Sequence, residues 1–190
     1  MLKHHAKHVL WLLALGTVVA HAAEVPVSSN YPVSQQQVHE QLHTAIEQAM
    51  DVRDKYQLEK ARTWLSYADH EYSEKAKRQN IDLIYQQVLE IVYADQRATL
   101  SVETAMLAFS QLMRRDLWTR AATLKTQTGF QCAYKELAQA EVNLVWAAAE
   151  YHELGWHHSC EIFASAERLM DQATHLSENC GTLNLTQFAF

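Results

Sequence analysis

Residues 61–74, ARTWLSYADHEYSE, align without a gap to residues 140–153, AEVNLVWAAAEYHE. Ala61, Leu65, Ala68, Glu71, Tyr72 and Glu74 meet Ala140, Leu144, Ala147, Glu150, Tyr151 and Glu153, and Tyr67 meets Trp146. The apolar positions recur at three- and four-residue intervals, which is helical spacing. Alanines on that stripe let two helices approach closely, so the shared pattern reads as a helix-packing surface. Each copy is followed by a break and a further helix, so the pattern predicts a duplicated helical hairpin. Glu71 and Glu150 sit on the apolar stripe itself, where a carboxylate needs a partner. A hydrogen bond to a tyrosine, tryptophan or arginine is the expected one.

Working outward, the rest of the chain reads the same way. Its only prolines are Pro26 and Pro32, and no proline interrupts it from Ser34 onward. Alanine, leucine, glutamine and glutamate abound, a composition that suits helices and not a β-sandwich. Ser34 is placed to cap a helix to about Arg53, with Val38, Leu42, Ala45, Ile46 and Ala49 on one face. Further helices are predicted over 57–76, 80–98, 101–113, 116–128, 131–153 and 158–176, with Gly129 and Gly155 as breaks. The expected fold class is all-α: about seven helices as stacked antiparallel hairpins, tetratricopeptide-like or an irregular bundle.

The N-terminus predicts the compartment. Residues 1–22 open with Lys3 and Lys7, run through an apolar segment and end in Ala20-His21-Ala22. That is the pattern of a secretory signal peptide, and its apolar run is too short to cross a bilayer. Residues 23–33 follow as an extended leader, biased away from helix by the two prolines. The helical domain then covers 34–178, and 179–190 form a C-terminal tail ending in GTLNLTQFAF, either packed on the domain or offered to a partner. Removing the two lysines of the signal, which holds no acidic residue, takes the formal charge from −6 to −8. An acidic exported chain is poorly suited to nucleic acid or anionic lipid. No later segment is long enough to span a membrane.

Three cysteines leave one over if a bridge forms. In a hairpin folded about Gly155, residue 132 lies near the level of residue 178, so Cys132 and Cys180 are placed to staple its open end. Cys160, near the turn, is then a free, half-buried thiol. His39-Glu40-Gln41-Leu42-His43 matches HExxH. On a helix His39 and His43 share a face and supply two zinc ligands, with Glu40 to activate a metal-bound water. The third ligand of that motif is missing from the usual downstream spacing, which leaves Glu71 or Glu74 as the available carboxylates. Glu40 and His43 are also half of a di-iron ExxH signature whose second half is absent. His152, His157 and His158 bracket Gly155 and read as solvated turn residues able to hold Zn²⁺ or Cu²⁺ adventitiously. No phosphate-binding glycine loop, GxSxG or basic stripe is present.

Two segments, WLSYADHEYSE and RRDLWTRAATLKTQTGFQCAYKELAQAEVNLVWAAAEYHELGWHHS, carry a wider pattern. It consists of Asp116-Leu117-Trp118, Ala121, Leu124-Lys125, Gly129-Phe130, Cys132-Ala133, Ala140-Glu141-Val142, Leu144-Val145, Gly155-Trp156 and His158. It resembles a helical region of proteobacterial OmpA-family envelope proteins, where it precedes an OmpA-like, peptidoglycan-binding C-terminal domain. The resemblance covers roughly residues 58–176, and the chain ends at Phe190 without that C-terminal domain. It also departs at Thr63 and Gln139, where the family pattern has cysteines. The resemblance implies a Gram-negative periplasm, with possible outer-membrane association, and implies no catalytic residues.

Together these readings predict a non-enzymatic periplasmic scaffold or adaptor that binds an envelope protein or cell-wall component, through a groove between hairpins or its apolar tail. The alternatives are a zinc-dependent hydrolase using His39, Glu40 and His43, or a periplasmic metal-binding protein. Only those alternatives require a cofactor, zinc.

Overall fold

The computed structural model describes residues 35–181, all within one compact unit. The segments read as signal peptide and leader, with Ser34 and the residues beyond Gly181, lie outside the described residues.

The domain is all-α. Its helices are α1 (Gln35–Gln48), α2 (Val52–Ser73), α3 (Arg78–Val92), α4 (Arg115–Thr126), α5 (Phe130–Leu154) and α6 (Trp156–Glu178), with one 3-10 turn at Arg97–Thr99. Asp51, not a residue near 57, starts the second helix: its Oδ1 accepts from the N–H groups of Arg53 (2.8 Å) and Asp54 (3.1 Å). Satisfying two of the four orphan donors at that end stabilises the helix by about 1 kcal/mol. Asn80 does not cap α3, whose N-cap is Lys77; its amide instead donates to Glu153 (2.9 Å).

The duplication is larger than a hairpin. The shift of 79 residues that carries Ala61 onto Ala140 also carries α1 to within one residue of α4 at both ends. It carries α2 to within two residues of α5, and the start of α3 to within one residue of the start of α6, which runs longer. Val38, Leu42 and Ala45 of α1 thus correspond to Leu117, Ala121 and Leu124 of α4, and all six are buried. Each half is a three-helix unit with its own core, and each core borrows residues from the other half's central helix.

The halves meet along α2 and α5, which run parallel. Gln139 reaches Glu59, Trp146 stacks on Tyr67 with ring centroids 4.7 Å apart, and Glu150 faces Glu71, so contacts advance together along both helices. Ala61, Ala68, Ala140 and Ala147, all fully buried, permit the close approach.

The expected helix over 101–113 does not form. Those residues are irregular, and side chains from two helices hold the carbonyl groups of Ser101, Val102 and Glu103, which the first turn of a helix would use internally. Gln57 donates to the Ser101 carbonyl (2.9 Å), Lys60 to those of Val102 (3.0 Å) and Glu103 (3.1 Å), and Lys125 to that of Val102 (3.1 Å). The hydroxyl of Tyr56 bonds there too. Beneath this strap lies a buried polar layer: Glu141, wholly buried, accepts from Lys125 Nζ (2.7 Å) and from Tyr56. Burial holds the Lys60 ammonium down at about 8, against the upward pull of Glu141.

Two glycines shape the second unit. Gly155, between α5 and α6, has φ +80°, a conformation glycine adopts without penalty. At Gly129 a Cβ would stand 2.1 Å from the Ser177 carbonyl oxygen and 2.3 Å from its Oγ. Gly129→Ala is therefore expected to force the start of α5 away from the end of α6, at a cost of about 3 kcal/mol and a fall in Tm of roughly 6–12 °C. A thermal melt that matches the parent's would mean that the Ser177 backbone gives way freely.

Candidate functional site

The parallel, in-register packing of α2 on α5 brings equivalent residues of the two copies face to face. Ala61, Leu65, Ala68, Ala140, Leu144 and Ala147 form the seam itself. Tyr72 and Tyr151, which the apolar stripe assigned to packing, point outward and are exposed, because each lies just past the end of the buried seam.

Between these groups sit Glu71 and Glu150. Together with His70 they form the one group of three or more potential metal ligands among the described residues, with ligand atoms all within 4.8 Å of one another. Glu71 is buried at 6% exposure, Glu150 is half-buried and His70 is exposed. Trp146 donates its indole N–H to Glu150 Oε1 (3.1 Å), the tryptophan partner expected for this carboxylate, and the His70 ring tilts over the same indole at 5.1 Å. Among the described residues Glu71 has no such donor; its side-chain partner is the Glu150 carboxyl.

The electrostatics follow from the neighbours. Burial, and then the charges of Glu150, Glu153 and Glu74, push the Glu71 carboxyl up to about 7. Burial, then Glu71 and Glu150, push the Tyr67 hydroxyl well above its ordinary range. Among the described residues no lysine or arginine pairs with Glu71 or Glu150. Two carboxylates this close ionise together only with a compensating cation; otherwise one keeps its proton.

The HExxH residues are arranged otherwise. His39 Nε2 lies 3.0 Å from Asp69 Oδ2 on α2, while His43 Nδ1 lies 3.7 Å from Glu47 on its own helix. Glu40 accepts from Gln36 (2.9 Å). Asp69 is further held by Gln35 and by the Tyr85 hydroxyl (3.2 Å), so the His39 contact ties α1 to α2. The two histidines therefore engage different carboxylates, and no third ligand joins them among the described residues.

Around Gly155, His152 Nδ1 lies 3.1 Å from the Gln111 amide, and the His157 and His158 rings stand 6.0 Å apart. Cys132 and Cys180 are bonded (S–S 2.01 Å). Cys160 is free and half-buried, its Sγ 3.6 Å from the His157 carbonyl.

No family model matches the chain, and no curated protein or solved structure matches it either.

Proposed function

We propose that the chain is an exported, non-enzymatic helical module of a Gram-negative envelope that docks another envelope component at one end of its paired units. The carrying observation is where its large apolar side chains are exposed. Tyr72, Leu112, Tyr151, Leu154 and Trp156 are exposed around the end of α2 and the α5–α6 turn, five of the eight such side chains among the described residues. The Gln111–His152 contact brings Leu112 to that end. Aromatic residues grouped on an otherwise polar surface are what a binding face offers. The signal-like N-terminus and the likeness to the helical region of OmpA-family proteins support the compartment. They also favour an envelope protein or cell-wall component as partner.

A photo-crosslinking residue placed at Trp156 or Tyr72, in cells exporting the chain, is expected to capture one dominant envelope component. The same residue at Met50, 89% exposed in the α1–α2 turn at the opposite end, serves as the background. Equal capture from both ends, or none, would overturn the proposal.

A further inference from the structure

Glu71 is a carboxylate more than nine-tenths buried, with another carboxylate as its side-chain partner and two more, Glu74 and Glu153, acting on it. No basic side chain among the described residues pairs with it. Burying a carboxylate costs several kcal/mol unless something compensates it. A hydrophobic seam does not accumulate such a group for packing, since Leu or Met would fill the space at less cost.

The compensating partner can be read from the donor set. His70 offers an imidazole nitrogen, and Glu71 and Glu150 offer oxygens, all within 4.8 Å of one another. A tetrahedral ion with ligand bonds of ~2.1 Å holds its ligands about 3.4 Å apart, so small side-chain rotations close the set. One imidazole with two carboxylates suits zinc better than magnesium or calcium, which favour all-oxygen shells. The Trp146 N–H on Glu150 supplies the outer hydrogen bond that fixes a ligating carboxylate. The exposed His70 side leaves a fourth position open to water or to a group on another molecule.

From this geometry we propose a divalent-metal site, taking zinc, at the seam where α2 packs on α5, with His70, Glu71 and Glu150 as ligands. It is distinct from the HExxH motif on α1, and its existence does not depend on the docking face. The duplication explains its origin in the fold. A glutamate at one position of the repeat meets its own copy once α2 and α5 pack parallel and in register.

The test uses the untagged chain stripped with a chelator, then titrated with zinc by calorimetry and checked for metal content. One zinc per chain is expected. Glu71→Gln, nearly identical in shape, should weaken binding by at least about 100-fold, since even outer partners of a ligand are worth 10–100-fold. His39→Ala and His43→Ala should leave it unchanged. In the metal-free state Glu71→Gln should melt at or above the parent temperature, because it removes a buried repulsion; only with zinc should the parent overtake it. Should that variant fail to fold, His70→Ala, at an exposed position, carries the same expectation of lost binding. An unmodified chain that takes up no zinc would overturn the proposal. So would undiminished binding in Glu71→Gln, or binding lost in His39→Ala.

Discussion

Lys125→Met is expected to destabilise the protein by about 3 kcal/mol, the lower end of the range for breaking a buried ion pair. The reason is what it leaves behind. Glu141 has no solvent exposure, and Lys125 Nζ, 2.7 Å away, is its charged hydrogen-bond partner. Without it the carboxylate keeps the Tyr56 hydroxyl and the more distant charge of Lys60, whose ammonium is committed to the Val102 and Glu103 carbonyls. That residual charge is why the loss falls at the lower end.

Changing both partners, Lys125→Met with Glu141→Leu, should recover most of the stability, since a well-packed apolar pair avoids the desolvation cost that the ions carry. Lys125 also holds the Val102 carbonyl, so the single variant should expose the irregular 101–113 segment. Faster amide exchange there than in α5 is the second readout. Denaturant unfolding gives the free energies, and a single variant as stable as the parent would show that water already compensates Glu141.

Removing the Cys132–Cys180 bridge, by Ser at both positions, is expected to cost about 4 kcal/mol, with Tm falling roughly 8–16 °C. The bridge closes a sequence separation of 48 residues and lies where α5 begins and α6 ends, with Cα atoms 5.6 Å apart. Gly129 packs on Ser177 in the same corner, and the Gln131 amide approaches Cys180 Sγ (3.6 Å). Releasing the staple therefore frees the turn from α4 into α5 as well as the end of α6. Thiol counting checks the premise: one alkylatable thiol, Cys160, in the unfolded but unreduced chain, and three after reduction. Cys160→Ser should shift Tm by little, because that thiol makes one long contact to a carbonyl. A reduced chain that melts with the oxidised one would mean that packing alone holds the corner.

Much of the fold was legible in local residues. The helical class follows from periodic apolar positions and from the lack of prolines after Pro32. The position of the α5–α6 hairpin follows from Gly155, and the Cys132–Cys180 pairing follows from that hairpin. Half of the duplication was legible as well, because α2 and α5 share identities. Its other half was not: α1 and α4 share little beyond the apolar character of Val38, Leu42 and Ala45 and of Leu117, Ala121 and Leu124. Burial requires size and apolarity, not identity, so two helices can pack equivalently with little sequence in common.

The candidate site divides along the same line. HEQLH is conspicuous in sequence because its spacing is local, but α1 sends His39 to Asp69 and His43 to Glu47. Glu71 and Glu150 stand out in sequence only as misplaced carboxylates, far apart along the chain. Likewise, residues 101–113 have helical composition yet stay irregular, and Gln57, Lys60, Tyr56 and Lys125 capture the carbonyls of their first three residues.

By itself the sequence determined the six helices that form, the turn at Gly155 and the half of the repeat carried by α2 and α5, because these depend on interactions within a few residues of the backbone. The tertiary structure alone decided that α2 and α5 run parallel, that Glu71 therefore faces Glu150, and that one segment gives up its helix. Each of those outcomes depends on groups brought together from distant parts of the chain, where burial leaves a charge or a carbonyl no partner except the one that packing supplies.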